Sequence, residues 1–156
     1  AGEGRLSGVL STKPDSHVIR MPNIEGLNSP YNKIEQEKLA MHMDGGEVYK
    51  FAVNAMGKNI EQACARAQLT PAEIDWYLPH QANLRIIDAS LKKFKIDKSK
   101  VLTNIEDCGN MSATSVMVLL DQFAQKGTFK RGDKLLFVAF GGGLTSGAVI
   151  INWNKD

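Results

Sequence analysis

The chain has 156 residues, 19 of them Lys or Arg and 17 Asp or Glu, for a net charge of +2. This length is enough for one domain with a proper core, and so even a balance gives no general attraction to nucleic acid or lipid, so any basic site must be local. Two cysteines far apart, Cys64 and Cys108, with no C-x-x-C spacing, argue against a disulfide framework or a zinc knuckle.

From Ala1 to Ala40 the sequence is rich in Gly, Pro, Ser and Asn. It is read as a strand around Leu6 to Leu10 entering a long loop. Beyond Gly45-Gly46, Val53, Met56, Ile60, Ala63 and Ala67 recur at steps of three and four, the stripe of an amphipathic helix with Cys64 beside it. Thr70-Pro71-Ala72-Glu73 has the spacing of a capping box, and a short strand from Ile74 to Leu78 is expected to stop at Pro79. A second helix is predicted from Asn83 to Phe94, with Leu84, Ile87, Leu91 and Phe94 inward and a basic face of Arg85, Lys92 and Lys93. Val101 to Ile105 reads as a short strand.

The segment from Ser112 to Ala124 is apolar almost all round, so as a helix it must be buried on most sides. In a free-standing domain of this size that suggests a partner domain over it. Two strands follow, Leu135 to Phe140 and Thr145 to Trp153, separated by Gly141-Gly142-Gly143. Alternating strands and helices ending in two strands predict an α/β domain with a mixed sheet. No run approaches the roughly 20 apolar residues of a membrane span, and the N-terminus has no signal-peptide pattern, so a cytoplasmic location is expected.

Three loops could carry chemistry. His80 lies where a strand ends and a helix begins, the place where open α/β sheets collect ligands, and the positive end of the helix would keep its imidazole neutral. A histidine that simply caps or packs the loop fits the same position. Asn110, after Gly109, offers an amide donor, although asparagine in such a turn can also be there for its tolerance of left-handed backbone. The three glycines could aim N–H groups at an oxyanion, or could form a plain hairpin turn. Neither cysteine has an activating context: Cys64 is on a helix stripe and Cys108 has Asp107 beside it.

PHQANLRII, GNMSATS and AFGGGLTSGAVII, in this order and at these separations, closely resemble the C-terminal half of β-ketoacyl-acyl-carrier-protein synthase III, in the thiolase-like superfamily. The resemblance covers Gly45 to Trp153, including GGEVYKFAV; Ala1 to Ala40 matches loosely, with LSGVLST as its best piece. It implies one half of a duplicated five-layer fold, a mixed five-stranded sheet flanked by helices, with 1–40 as entering strand and loop and 41–156 as the C-terminal domain. The half that carries the family's cysteine nucleophile would be absent, and this chain alone would be inactive. The implied reaction is condensation of an acyl-CoA primer with malonyl-acyl-carrier protein, starting fatty acid synthesis.

On this resemblance His80 and Asn110 would be the catalytic donors, and Gly142, beside Phe140, would give its backbone N–H to an oxyanion. Asn83, Gly45, Ala82 and Tyr49 would contact the pantetheine arm, with Tyr49 where phenylalanine is usual. Arg85, Lys50, Lys92 and Lys93 would dock the acidic carrier protein. No tightly bound cofactor and no metal are implied; acyl-CoA and malonyl-acyl-carrier protein are substrates, and the full-length enzyme would be a homodimer that binds neither nucleic acid nor membrane. Met111, Cys108, Leu144 and Ser146 depart from the family pattern, which points to an altered primer pocket. Two alternatives remain: an acyltransferase or starter synthase of secondary metabolism, and a module that only binds carrier protein.

Overall fold

A computed structural model of the chain describes residues 4–20 and 41–155. Residues 21–40, in the expected loop, lie outside the described residues.

The sheet begins with β1 (Arg5–Thr12), whose central residues alternate between inward and outward sides as a strand with one covered face requires. After a small ribbon of β2 (Ile19–Arg20) and β3 (His42–Met43), Asp44 caps α1 (Gly45–Arg66), its carboxylate accepting from Glu47 N–H at 3.0 Å. The buried stripe of α1 runs through Val48, Ala52, Met56, Ile60 and Ala63, and Cys64 lies within it.

The capping box at Thr70 and Glu73 forms, around a 3₁₀ turn. Ile74 still closes that turn through its N–H to Pro71 O, so β4 (Trp76–Pro79) starts two residues later than expected and takes in Pro79, one residue beyond the expected end at Leu78. Asn83 caps α2 (Leu84–Leu91), which tightens into a 3₁₀ turn at Lys92–Phe94 and ends at Lys95, φ 53°. Ile86 and Ile87 take the inward places of its first turns, with Ser90 and Leu91 following; Leu84, expected inside, is 39% exposed.

Thr145–Asn152 (β6) hydrogen-bonds antiparallel to β1 on one side and to β5 (Lys134–Gly141) on the other, and β5 runs parallel to β4. The order is β1-β6-β5-β4, with β6 alone running against its neighbours. The fifth strand expected at Val101 is reduced to one parallel bridge with Tyr77, because the chain turns at Asn104 into the short helix α3 (Ile105–Cys108).

Two cores follow from the alternation of side chains along the strands. Met56, Ile60 and Ala63 of α1 pack on Leu136, Val138, Ala148 and Ile150, with α2 closing the side. On the opposite face Leu119 of α4 (Thr114–Gln125) packs on Leu78, Leu135 and Leu102. Only Ser115, Val116 and Leu119 of α4 are buried, and Met117 is 56% exposed. This helix covers the β4 side of its face and leaves the β6 and β1 side open.

Candidate active site

The parallel strands β4 and β5 end side by side, and their loops meet the α3–α4 loop along a groove of about 2010 Å³. That is larger than the roughly 300–1,000 Å³ typical of a ligand pocket, as expected for an open face rather than a closed cavity. His80, Asn110, Gly142 and Phe140 line it, as do Gly45, Tyr49, Lys50, Ala82, Asn83 and Arg85.

His80 follows Pro79 directly, and its N–H continues the β4–β5 pairing by donating to Val138 O at 2.8 Å. Its side chain is 9% exposed, with Nδ1 2.6 Å from Ser115 Oγ and the ring edge-on to Phe140, centroids 5.5 Å apart. Burial disfavours the imidazolium and holds the pKa below the ordinary histidine value. The neutral ring expected from the sequence thus has a different cause, since α2 begins only at Leu84 and loss of water around the ring does the work.

Asn110 is exposed to the groove, and its Oδ1 accepts from Ser112 N–H at 2.9 Å. The left-handed backbone angles of this loop belong to Gly109 (φ 65°) and Ser112 (φ 54°), so Asn110 is not there to supply one. Among the described residues its amide nitrogen has no hydrogen-bond partner. Gly142 N–H likewise makes no backbone bond among those residues, while Gly143 carries the turn at φ 133°, where a side chain would meet Thr145 Cγ2 at 2.8 Å.

Around this centre, Asn83 Oδ1 accepts from Arg85 N–H, and the exposed Arg85 and Tyr49 stand along the groove wall. Lys50 pairs with Glu47 at 2.8 Å on the surface. Lys92 and Lys93 are not brought to the groove: Lys93 pairs with Glu61 of α1 at 2.9 Å and lies 4.9 Å from the Phe94 ring. Leu144 is packed beneath the site with Val18 and Val48, whereas Ser146 lines the groove itself.

Sequence reasoning assigned no role to Gln81 and Ser115. Gln81 is fully buried, its Nε2 donating to Pro79 O at 2.8 Å and its Oε1 accepting from Asn104 N–H at 3.1 Å, which locks the His80 loop to its neighbour. A polar residue within the apolar run from Ser112 was the available signal for Ser115. The cysteines are outside the groove; burial first, and Glu73 second, push the Cys64 thiol up to about 11, which makes it a poor nucleophile near neutral pH.

The family model described as 3-oxoacyl-[acyl-carrier-protein (ACP)] synthase III C terminal matches residues 64–153. The chain belongs to this family. It is 46% identical over 154 residues to a β-ketoacyl-[acyl-carrier-protein] synthase III of Desulfitobacterium hafniense, covering 99% of this chain and 44% of the relative. The solved 3-oxoacyl-[acyl-carrier-protein] synthase III of Aquifex aeolicus superposes with a TM-score of 0.84 at 32% identity, over 97% of this chain and 46% of that one. A priming β-ketosynthase from a polyketide biosynthetic pathway gives a TM-score of 0.84 at 26% identity, over 97% and 46%. The chain therefore spans less than half the length of these synthase III relatives, and it corresponds to their thiolase-like C-terminal half.

Proposed function

We propose that this chain supplies the decarboxylating half of a β-ketoacyl-acyl-carrier-protein synthase III that starts fatty acid synthesis from acyl-CoA and malonyl-acyl-carrier protein. The observation that carries the reading is the pairing, in one groove, of a buried neutral histidine with an asparagine whose amide nitrogen is uncommitted. When a malonyl thioester loses carbon dioxide, the electron pair of the broken C–C bond delocalises onto the thioester oxygen. A ring N–H of His80 and the Asn110 amide stabilise that charge, and neutral donors suit it because neither leaves an unpaired charge once the carbanion has reacted.

The carbanion attacks an acyl group held on a cysteine of the other half, and Gly142 N–H receives the oxyanion formed there. Asn83, Gly45, Ala82 and Tyr49 line the path of the pantetheine arm. Arg85 and Lys50, at the groove wall, meet the acidic carrier protein; Lys92 and Lys93 contribute less to docking, because neither lines the groove. Without an activated thiol the chain alone does not condense.

The test is decarboxylation of malonyl-acyl-carrier protein by an enzyme in which this chain is joined to a cysteine-bearing half. His80→Ala and Asn110→Ala should each slow it by roughly a hundred- to a thousandfold, the usual loss for one oxyanion donor. Acylation of the cysteine should persist. Near-normal decarboxylation in both variants would sink the assignment. The likeness to the priming ketosynthase, with Ser146 on the groove wall, favours a second reading: a starter synthase of secondary metabolism that uses the same donors with another acceptor. Competition between malonyl-carrier proteins of the two pathways separates them.

A further inference from the structure

Ser115, in the first turn of α4, is fully buried with Oγ 2.6 Å from His80 Nδ1. The same oxygen receives Gln81 N–H at 3.3 Å. A serine hydroxyl has one proton to give, and among the described residues no acceptor other than the imidazole is within its reach. The reverse arrangement, with Nδ1–H donating to the serine, would leave a buried hydroxyl proton without an acceptor, which native structures avoid. A neutral imidazole that accepts at Nδ1 carries its proton on Nε2.

We propose that Ser115 is a positioning residue that fixes His80 as its Nε2–H tautomer, so that the ring presents a donor, not a lone pair, to the groove. Nε2 has no protein partner among the described residues. The geometry is held at two levels of α4: Ser115 grips the His80 loop, and Gln122, two turns further on, accepts from Asn104 Nδ2 at 2.8 Å. Asn104 N–H in turn holds Gln81 Oε1, so the rotation of α4 about its axis and the place of the loop are set together. The thioester oxygen as the acceptor rests on the function proposed above; the tautomer does not.

The tautomer is read from imidazole ¹⁵N chemical shifts in histidine-labelled protein near neutral pH. There are three histidines, and His17 and His42 are exposed, so loss of one signal set in His80→Gln assigns the third. The expected wild-type pattern is protonated Nε2 with unprotonated Nδ1; Ser115→Ala should relax it to a mixture, and Ser115→Thr, which keeps the hydroxyl, should preserve it. In the joined enzyme Ser115→Ala should lower kcat for decarboxylation roughly tenfold with little change in KM, as for a misaligned rather than a missing donor. A wild-type ring protonated on Nδ1 overturns the proposal without any variant, so it survives as a test even if Ser115→Ala fails to fold. An unchanged tautomer in a folded Ser115→Ala overturns it equally. Absence of malonyl decarboxylation in the joined wild-type enzyme, with Nε2–H intact, would instead refute the proposed reaction and leave the role of Ser115 standing.

Discussion

Burial of the His80 ring ties the chemistry of the groove to the stability of the fold. Its pKa is lower in the folded chain than the ordinary value of about 6.5 expected on unfolding. Between those two values the unfolded chain binds a proton that the folded chain refuses, so stability falls as pH drops below about 6.5 and is level in this respect above it. The unfolding temperature measured from pH 8 down to pH 5 should carry this component, and a His80→Gln variant should lack it; equal slopes would place the His80 pKa at its ordinary value. The neutrality of the ring was legible in the sequence, but its cause was not, because burial depends on Phe140 and Ser115, which reach His80 only through the fold. The Asn110 turn was similar: the sequence left open a left-handed role that the backbone assigns to Gly109 and Ser112.

Elements with strong periodicity were read well, and those defined by tertiary contact were not. α1 was legible from its apolar steps, and the hairpin of β5 and β6 from its flanking strands and central glycines. In α2 the choice between Leu84 and Ile86 for the inward place turned on the angle at which the helix meets α1, which no local pattern contains. Val101 has a strand-like neighbourhood but only one bridge to make. The pairing of β1 with β6 makes one glycine indispensable. A Cβ at Gly147 would stand 2.9 Å from Val9 O, a backbone atom that cannot step aside, whereas at Gly8 the nearest contact would be an ordinary 3.8 Å to Val149. Gly147→Ala should therefore destabilise the chain by about 1–3 kcal/mol, the usual cost of overpacking. Gly8→Ala should be tolerated far better, and denaturant unfolding of the two variants measures the difference.

At the scale of the whole molecule, the apolar character of α4 was the most informative feature of the sequence. Met117 is exposed at 56% and Leu10, on β1, at 82%, and among the described residues no helix lies over the sheet between them. Large open apolar surfaces mark an interface or an aggregation risk. The 156-residue chain alone should self-associate and bind an apolar dye, and a cysteine-bearing half supplied in trans should suppress both. Sedimentation of a monodisperse monomer at high concentration, with no dye bound, would count against that surface being an interface.

The register of β1 against β6 brings Arg5 opposite Ile151, so neighbours in the sheet come from opposite ends of the sequence. During synthesis β1 emerges well before β6, its one partner in the sheet among the described residues. Throughout that interval β1 is a nascent strand with an unpaired edge, the kind of segment that chaperones shield. Such long-range closure also places folding among the slow, high-contact-order topologies. Refolding from denaturant should accordingly show β1 protected from amide exchange only as β6 becomes protected, and pulsed hydrogen exchange that found β1 protected well before β6 would contradict this order.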